Sequence, residues 1–357
     1  MISFWVCILF VLFGGPRFSR SRTSDMASCR QLWRALKRTL GLGRSQLSVG
    51  ERQVVLVTGC DSGLGHSLAV YCHQALNMTV ISCCHNLQSQ GAQLLQQLNT
   101  ENGARQQRML TWQLDLLQPE SIEQLQARLQ QLLHNSDYQL MALVNNAGVM
   151  CFGEFEWQLP SQIELQINCN LLGTMRLTRQ LLPLLRQHRG RIINVTSHCG
   201  LHALPALSPY AASKAALRGW TDALRIELQQ YGMEVVNFIP GSFVMDSNIA
   251  ARQQQHAQQM LEAFSEEQLS YYGTYFTKFN EYLSMLSGFK APNKLRDNEL
   301  LSKFKDALTN TQPAAIYIHE PWRYRIYRWL FSICPTPLTD WLVVRFCAMP
   351  TYESTRR

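Results

Sequence analysis

The sequence lacks the cysteine and histidine spacing of a metal site. Eleven cysteines are scattered over 357 residues, the adjacent pair Cys83 and Cys84 is not a C-x-x-C motif, and no His or Cys cluster follows it at zinc spacing. An odd number of dispersed cysteines argues against a disulfide framework and indicates a reducing compartment. No internal repeat of solenoid period is present, which argues against a repeat architecture. We therefore expect no metal and one large hydrophobic core, to which 46% hydrophobic residues are well suited.

Acidic residues are scarce near the N-terminus. A single acid, Asp25, accompanies eight basic residues there, namely Arg17, Arg20, Arg22, Arg30, Arg34, Lys37, Arg38 and Arg44. The net charge of the chain, +8, is therefore concentrated in one segment. This concentration favours contact with a membrane surface over recognition of nucleic acid.

Residues 1–15 carry no charged side chain and are apolar. As a helix they reach only ~22 Å, against a hydrocarbon core of ~30 Å. A cleaved signal peptide carries positive charge before its apolar stretch, whereas here the basic residues follow it. The pattern predicts an N-terminal anchor, a basic linker over residues 16–50, and a catalytic domain on the cytoplasmic side of the endoplasmic reticulum membrane. The alternative is a mitochondrial presequence at residues 26–46, which are Arg-rich and acid-free, if translation starts at Met26.

Six short apolar runs alternate with helical patterns along the chain. They cover residues 54–58, 79–84, 110–114, 142–145, 191–196 and 234–239. Such alternation indicates parallel strands joined by right-handed helical connections. The sequence thus predicts an α/β fold, a single Rossmann-type doubly wound parallel sheet with helices on both faces and a helical C-terminal extension. Glutamine-rich stretches such as residues 253–259 are expected on solvated helix faces.

A glycine-rich turn follows the first predicted strand. Glycines at positions 59, 63 and 65 permit a tight turn into a helix and let backbone N–H groups approach a pyrophosphate at its N-terminus. The spacing is G-x-x-x-G-x-G, which differs from G-x-G-x-x-G. The expected cofactor contacts of this turn are Gly59, Asp61, Ser62, Gly63, Leu64 and Gly65.

Tyr210 and Lys214 lie four residues apart on a predicted helix, thirteen residues after Ser197. Residues at this spacing share one helix face, so the Lys214 ammonium can lie beneath the phenol of Tyr210 and favour its phenolate. General-base work near neutral pH needs the tyrosine pKa lowered by roughly 3 units. We expect Tyr210 to exchange a proton with a substrate hydroxyl or carbonyl, and Ser197 to hydrogen-bond and polarise that oxygen.

These elements together resemble the short-chain dehydrogenases/reductases in order and spacing over about residues 51–330. The matching positions are Thr58 to Gly65, Asn145 to Gly148, Asn170, Ser197, Tyr210, Lys214, Pro240 and Gly241. The C-terminal third is similar to the membrane-associated branch that holds retinol, 17β- and 11β-hydroxysteroid and mitochondrial 3-hydroxybutyrate dehydrogenases. Residues 181–185 and 272–286 look closest to a type 2 17β-hydroxysteroid dehydrogenase.

The resemblance implies further roles. Lys214 also holds the nicotinamide ribose, and Asn170 anchors a water that relays protons to that lysine. Relatives pair through the helices that carry Asn170 and Tyr210, which implies a homodimer. The remaining implied cofactor contacts are Tyr210, Cys83 at the end of the second strand, Asp115 and Leu116 at the adenine, and Asn146, Ala147, Gly148, Pro240 and Gly241.

Cofactor preference depends on the end of the second strand. NAD-preferring relatives often carry an acid there, and an ungapped alignment places Cys83 at this position. No nearby Arg or Lys offers a partner for a 2′-phosphate. Asp61 repels additional negative charge if it faces the ribose, so we expect NAD, with NADP as the alternative.

Residues 245–320 follow the sixth strand, where relatives fold a lid over the cofactor, within a catalytic domain expected over residues 51–325. The lid is rich in aromatic residues, namely Phe264, Tyr271, Tyr272, Tyr275, Phe276, Phe279, Tyr282 and Phe289. Such residues suit an apolar pocket, although Tyr272, Phe276 and Phe279 also recur at helical spacing. We expect a lipophilic alcohol or carbonyl substrate, either a steroid, including ecdysteroid-like sterols, or a retinoid.

Two other functions remain open. A 3-hydroxybutyrate-type dehydrogenase would need a cationic clamp, for which His198, His202 and Lys278 are the candidates. A nucleotide-binding protein with little catalysis is the second, because the family places a Thr after Pro240 and Gly241 where this chain has Met245. Residues 326–357 form a C-terminal segment whose apolar stretches, 329–334 and 341–347, either enter one membrane leaflet or pack on the core.

Overall fold

The computed structural model describes residues 45–352, apart from 102–107, 242–243, 245–246, 285–287, 289–290 and 293–296. The predicted anchor, the basic linker up to residue 44, Met245 and Phe289 therefore lie outside the described residues. Within the described part, no helix is long and apolar enough to cross a membrane.

Seven parallel strands form one sheet in the order β3-β2-β1-β4-β5-β6-β7. The strands are β1 (Gln53–Thr58), β2 (Thr79–Cys84), β3 (Met109–Gln113), β4 (Gln139–Asn145), β5 (Arg191–Val195), β6 (Glu234–Ile239) and β7 (Ile316–Ile318). The predicted doubly wound sheet is confirmed. Its order reverses between β1 and β4, which is where open α/β sheets bind nucleotides. The short strand β7 is absent from the prediction.

Helices follow most strands. They are α1 (Gly63–Gln74), α2 (Gln90–Glu101), α3 (Pro119–His134), α4 (Pro160–Ile167), α5 (Thr174–Gln187), α6 (Ser208–Gln229), α7 (Gln253–Ala263), α8 (Glu266–Leu283), α9 (Asn298–Thr309), α10 (Trp322–Ile333) and α11 (Thr336–Cys347). A π-helical segment, Asn168–Gly173, joins α4 to α5, and a short 3-10 helix spans His198–Gly200.

Successive strand residues point to opposite faces of the sheet. Both of these faces are buried. On one face Val55 and Val57 pack in a core with α1, α2 and α9, while on the other Val54 and Leu56 pack in a core with α3, α5 and α6. The four valine and leucine side chains are fully buried. This burial explains why the strands read as continuous apolar runs.

A third apolar cluster covers the carboxyl ends of the strands. Trp157 lies at its centre, with the rings of Tyr272, Tyr275, Phe276 and Phe279 of α8 at 5.3–5.8 Å between centroids. Helices α7 and α8 lie within residues 245–320, the range predicted as a lid. Residues 298–318, predicted as part of that lid, instead add α9 and β7 to the body of the sheet.

Candidate active site

The glycine-rich turn connects β1 to α1 in the predicted manner, with Gly59 and Gly63 at positive φ angles of 71° and 58°. A Cβ on Gly65 would lie 2.3 Å from the Gly59 carbonyl oxygen and 2.4 Å from Nδ2 of Asn146. Only a glycine at position 65 therefore lets the turn approach β4 this closely. The N–H of Gly63 donates to the Pro292 carbonyl at 3.2 Å, so the chain after β6 reaches this turn.

The segment after β4 is tied to the same turn. Oγ1 of Thr58 accepts hydrogen bonds from the backbone N–H groups of Asn146 and Ala147, both at 3.0 Å. Nδ2 of Asn146 donates back to the Thr58 carbonyl at 2.9 Å. These bonds hold Asn146, Ala147 and Gly148 beside the turn, as the predicted cofactor contacts require.

Asp61 reaches from the turn to the end of β2. Its carboxylate accepts hydrogen bonds from the backbone N–H groups of His85 at 2.8 Å and Asn86 at 3.0 Å, and from the Ser89 hydroxyl at 3.2 Å. Cys83, named as the cofactor contact at this strand end, points its side chain into the core instead, and burial raises the pKa of its thiol. Only the Cys83 backbone is left for such a contact. The Asp61 carboxylate thus lies at the end of β2, where the ungapped alignment places no acid.

Asp115 and Leu116 follow β3 on the neighbouring strand. Oδ1 of Asp115 accepts from the Leu117 N–H at 2.9 Å, and its other oxygen lies 3.7 Å from Nε2 of His85. Helix α3 begins at Pro119 with Gln118 at its N-cap, so Asp115 is not a helix cap. The side chain of Leu116 is buried. Asp115 and Asp61 thus both lie beside His85, where the resemblance places adenosine.

Two of the predicted catalytic residues, Asn170 and Lys214, come together beside Gly148. A Cβ on Gly148 would lie 3.2 Å from Oδ1 of Asn170 and 3.4 Å from Nζ of Lys214. Lys214 and Tyr210 are both buried on α6. The Ser197 hydroxyl, after β5, accepts from the Cys199 N–H at 3.2 Å and lies near enough to Tyr210 to influence the pKa of its phenol. Nζ of Lys214 lies 5.9 Å from the ring centre of Tyr210, so the four residues are close neighbours at this end of the sheet.

Burial changes the pKa values of this pair. It raises the pKa of Tyr210 above its ordinary value, assisted by the nearby Cys199 and opposed by the hydrogen bond with Ser197. It also lowers the pKa of Lys214 to about 8. The sequence predicts a lowered tyrosine pKa, whereas the direction here is the opposite because desolvation is the largest effect. Such a phenol is protonated at neutral pH.

Asn170 is fully buried and its side chain is fully used. Oδ1 accepts from the Val149 N–H at 2.7 Å, while Nδ2 donates to the Val149 carbonyl at 2.9 Å and to the Ser213 hydroxyl at 3.0 Å. A water relay at Asn170 would therefore use its main-chain carbonyl, which lies in the π-helical segment and accepts from Thr174 Oγ1 at 3.2 Å. Sequence reasoning did not identify Val149 or Ser213.

Amide side chains hold the rest of this loop. Gln253 of α7 accepts from the Phe152 N–H at 2.9 Å and donates to its carbonyl at 2.8 Å. Oε1 of Gln166 accepts from the Cys151 N–H at 3.1 Å. Gln253 is buried, so the prediction that it lies on a solvated helix face is wrong. Its hydrogen-bond partner, Phe152, is 101 residues away and leaves no signal in the local sequence. The lid is thus bonded directly to the loop that follows Gly148.

The end of β6 is equally constrained. Gly241, after Pro240, has a φ angle of 91°, and a Cβ there would lie 2.7 Å from the His319 carbonyl oxygen. Strand β7 runs beside this turn, with the His319 N–H donating to the Ile239 carbonyl at 2.8 Å. The close approach of β7 therefore requires the glycine that the resemblance assigns to the cofactor.

The candidate cationic clamp for a hydroxy acid is not formed. Burial lowers the pKa of both His198 and His202, which favours their neutral forms. Nε2 of His198 hydrogen-bonds the buried Glu320 at 2.8 Å, and Arg328 of α10 binds the same carboxylate at 2.8 and 3.0 Å. Lys278 is exposed on α8. Across the described residues, no group of three or more His, Cys, Asp or Glu could hold a metal ion.

Comparison with known proteins agrees with this geometry. A family model described as short chain dehydrogenase matches residues 53–257. Mitochondrial D-beta-hydroxybutyrate dehydrogenase of Rattus norvegicus is 31% identical over 288 residues, which cover 80% of this chain and 81% of that protein. Estradiol 17-beta-dehydrogenase 2 of Mus musculus is 31% identical over 313 residues, covering 86% and 78%. Retinol dehydrogenase 16 of Rattus norvegicus is 31% identical over 314 residues, covering 87% and 92%.

Proposed function

Because the chain belongs to the short-chain dehydrogenase family, and is thereby an oxidoreductase acting on CH–OH groups with a nicotinamide cofactor, we propose that Tyr210, Ser197, Lys214 and Asn170 carry its chemistry. The observation that supports these roles best is that Asn170 and Lys214 meet beside Gly148, with Nζ of Lys214 5.9 Å from the ring centre of Tyr210. A bound nicotinamide would supply the hydride acceptor for oxidation of the carbinol carbon, or the hydride donor for reduction. Tyr210 exchanges the hydroxyl proton, and Ser197 hydrogen-bonds the reacting oxygen.

Lys214 and Asn170 support the phenol of Tyr210. The buried Lys214 ammonium sits where it can contact a nicotinamide ribose beside Gly148. Proton transfer to solvent would then pass through a water held by the main-chain carbonyl of Asn170, because its side chain is bonded to Val149 and Ser213. We also propose that the sixteen residues named from the sequence as cofactor contacts bind the nicotinamide cofactor.

NAD is the proposed cofactor. The Asp61 carboxylate lies at the end of β2, fixed by the N–H groups of His85 and Asn86. A carboxylate there can accept a hydrogen bond from a ribose 2′-hydroxyl and repels a 2′-phosphate. NADP remains the alternative, and the ratio of kcat/KM for the two cofactors decides between them.

A lipophilic alcohol or carbonyl compound is the proposed substrate, a steroid, including ecdysteroid-like sterols, or a retinoid. Tyr210 packs in the same apolar cluster as Trp157, Phe276 and Phe279, so a substrate that reaches the phenol passes aromatic walls. The second candidate is a 3-hydroxybutyrate-type acid, favoured by the similarity to D-beta-hydroxybutyrate dehydrogenase. Burial lowers the pKa of both His198 and His202 and favours their neutral forms, which argues against a cationic clamp for the substrate carboxylate.

We place the enzyme at the endoplasmic reticulum membrane with its catalytic domain on the cytoplasmic side, and keep the mitochondrion as the alternative. Support for the first comes from the similarity to the steroid and retinol dehydrogenases and from the apolar residues 1–15. We also propose a homodimer. Imaging of the full chain with tags at either end, with and without residues 1–25, distinguishes the two locations.

The test of function is the absorbance of reduced nicotinamide, measured with full-length protein in vesicles. NAD and NADP are each paired with steroids, retinol and 3-hydroxybutyrate. Turnover with a steroid or retinol that falls by about 10² to 10⁴ in Tyr210→Phe supports the proposal. Turnover with 3-hydroxybutyrate alone establishes the second candidate. Cofactor binding without turnover on any substrate would indicate a nucleotide-binding protein with little catalysis.

A further inference from the structure

Helices α10 and α11 form a pair, here named the C-terminal hairpin (residues 322–347), in which no residue is buried. Phe346 of α11 contacts Tyr324 and Tyr327 of α10, with ring centroids 5.0 and 4.6 Å apart. The two helices are therefore packed on each other. Each has twelve residues, or ~18 Å of length, which is too short to cross a bilayer.

The outer side of the hairpin is apolar. Three tryptophans, Trp322, Trp329 and Trp341, are 61–69% exposed. The other exposed apolar residues of the hairpin are Ile326, Ile333, Leu338 and Val344. On α10 these side chains recur at intervals of four, three and four residues, which is one face of a helix. A contiguous apolar face of this kind marks a surface that is covered in use.

The inner side of the hairpin contacts the loop after β5 that begins with Ser197. Arg328 binds Glu320, which in turn bonds His198 next to Ser197. The ring of Phe331 lies 5.3 Å from that of His202, between centroids. The outer tryptophans are therefore displayed on helices whose opposite side is already committed to the protein.

The charges beside the apolar face suit a phospholipid surface. Arg323, Arg325 and Arg345 are exposed on the hairpin, against one exposed acid, Asp340. Tryptophan next to arginine is typical of helices that lie in the headgroup layer, and the arginines attract anionic lipid. A second copy of this chain fits less well, because a symmetric contact would bring the same three arginines from both copies together.

We propose that the outer side of the C-terminal hairpin docks in the headgroup layer of an anionic phospholipid bilayer, with α10 and α11 lying in the plane of the membrane. Through Arg328, Glu320 and His198 the docked hairpin holds the Ser197 loop close to the lipid, where a lipophilic substrate is concentrated. This inference deepens the proposed membrane location. It does not depend on residues 1–44 or on turnover.

The test uses the full-length protein and compares hydrogen exchange of residues 322–347 with no vesicles, with phosphatidylcholine vesicles, and with vesicles that also contain phosphatidylserine. Residues 1–15 can bind lipid themselves. Hydrogen exchange of residues 322–347 is therefore measured in addition to retention of the protein on the vesicles. We expect slower exchange of the hairpin on phosphatidylserine vesicles. In Trp329→Glu/Trp341→Glu this protection disappears and vesicle affinity falls at least about tenfold. Tyr231→Glu, at an exposed aromatic outside the hairpin, keeps both.

A second variant tests the charge argument without touching the tryptophans. Arg323→Glu/Arg325→Glu is expected to lose the preference for phosphatidylserine and the salt dependence of binding. Hairpin exchange that no vesicle slows would overturn the proposal. So would exchange that slows with protein concentration alone, together with dissociation of a dimer in the tryptophan variant, since the occupant would then be a second copy. Turnover with a water-soluble alcohol is measured separately, without vesicles. Failure of the catalytic proposal can therefore be distinguished from failure of the docking proposal.

Discussion

The ammonium nitrogen of Lys214 lies 5.9 Å from the ring centre of Tyr210 and donates to the Val195 carbonyl oxygen at 3.1 Å. Burial lowers the pKa of Lys214 to about 8. Holding a cation in such a place costs folding free energy. The proposed contacts of the ammonium with a bound ribose and with the phenol of Tyr210 would account for this cost.

Replacing Lys214 by Met should therefore change how stability depends on pH. The folded pKa, about 8, lies below the ordinary 10.5, so the unfolded chain binds the proton more tightly between these values. Stability contributed by Lys214 is lowest below about pH 8 and rises by up to about 3 kcal/mol toward pH 10.5. Urea titrations of Lys214→Met against wild type should show a difference that changes across this window. Lys278→Met, at an exposed lysine, should follow wild type; identical pH dependence in all three proteins would contradict the assignment.

A methyl group at position 65 should disrupt the nucleotide turn. The Cβ of Gly65→Ala would meet the Gly59 carbonyl and the Asn146 amide, so the turn must move away from β4. We expect loss of cofactor binding, followed by nucleotide fluorescence, and a stability loss of about 1 to 3 kcal/mol. Gly219→Ala is the matched control. Nothing lies within 4 Å of its Cβ on α6, so it should gain about 0.5 to 1 kcal/mol and bind cofactor normally. Equal behaviour of the two variants would count against a close-packed turn.

Some strands and buried residues can be predicted from the sequence and others cannot, for physical reasons. Strands β2 and β6 have the predicted ends because each is a buried apolar run, and burial on both faces is visible in the residues themselves. Strand β7 has three residues, too few for a periodic signal. Gln253 looks like its exposed neighbours, since only the distant backbone of Phe152 makes it a buried residue.

The same limit applies within the site. Tyr210 and Lys214 are predictable because helix geometry fixes residues four positions apart. The direction in which the Asp61 carboxylate points depends on the backbone of His85, 24 residues away, and on the geometry of the loop after β2. The raised pKa of Tyr210 depends on how completely the lid buries it, which no local pattern specifies.

Asp61 should set the cofactor preference. In Asp61→Ser the charge that would repel a 2′-phosphate is removed, and we expect the ratio of kcat/KM for NAD over NADP to fall at least about tenfold. The same change leaves the N–H groups of His85 and Asn86 without their acceptor, at a cost of about 1 to 3 kcal/mol in stability. Asp137→Ser removes only an exposed pair with Arg52 and should change neither quantity. An unchanged ratio in Asp61→Ser would mean that this acid does not face the ribose.

Gln253 should position the loop after β4 without touching the reacting atoms. Gln253→Met preserves length but leaves the N–H and carbonyl of Phe152 unpaired. We expect KM for the substrate to rise about tenfold, while kcat and the pH profile of Tyr210 stay within a few-fold of wild type. The exposed neighbour Gln254 gives the control, Gln254→Met. A fall in kcat with unchanged KM would instead place Gln253 in the chemical step.

Arg328 should stabilise the catalytic loop through Glu320. The Glu320 side chain is 3% exposed. Burial alone raises its pKa, but hydrogen bonds from Arg328 and His198 outweigh it, so that the net pKa is lowered from 4.5. A lowered carboxyl pKa contributes stability that is present above pH 4.5 and is lost as the pH falls through the folded value. Arg328→Met should therefore cost roughly 2 kcal/mol or more near neutral pH, and the wild-type loss of stability on acidification should become shallower.

The double variant Arg328→Met/Glu320→Gln separates the pair from general damage to α10. If the cost in Arg328→Met comes from an uncompensated buried carboxylate, neutralising Glu320 recovers part of it, and the cycle gives a coupling energy. Arg225→Met, which removes a partly exposed pair with Asp222, should cost no more than about 1 kcal/mol. Should Arg328→Met cost no more than Arg225→Met, the hairpin would not hold the Ser197 loop through this carboxylate. A large cost with normal kcat would mean that the link stabilises the fold without positioning Ser197.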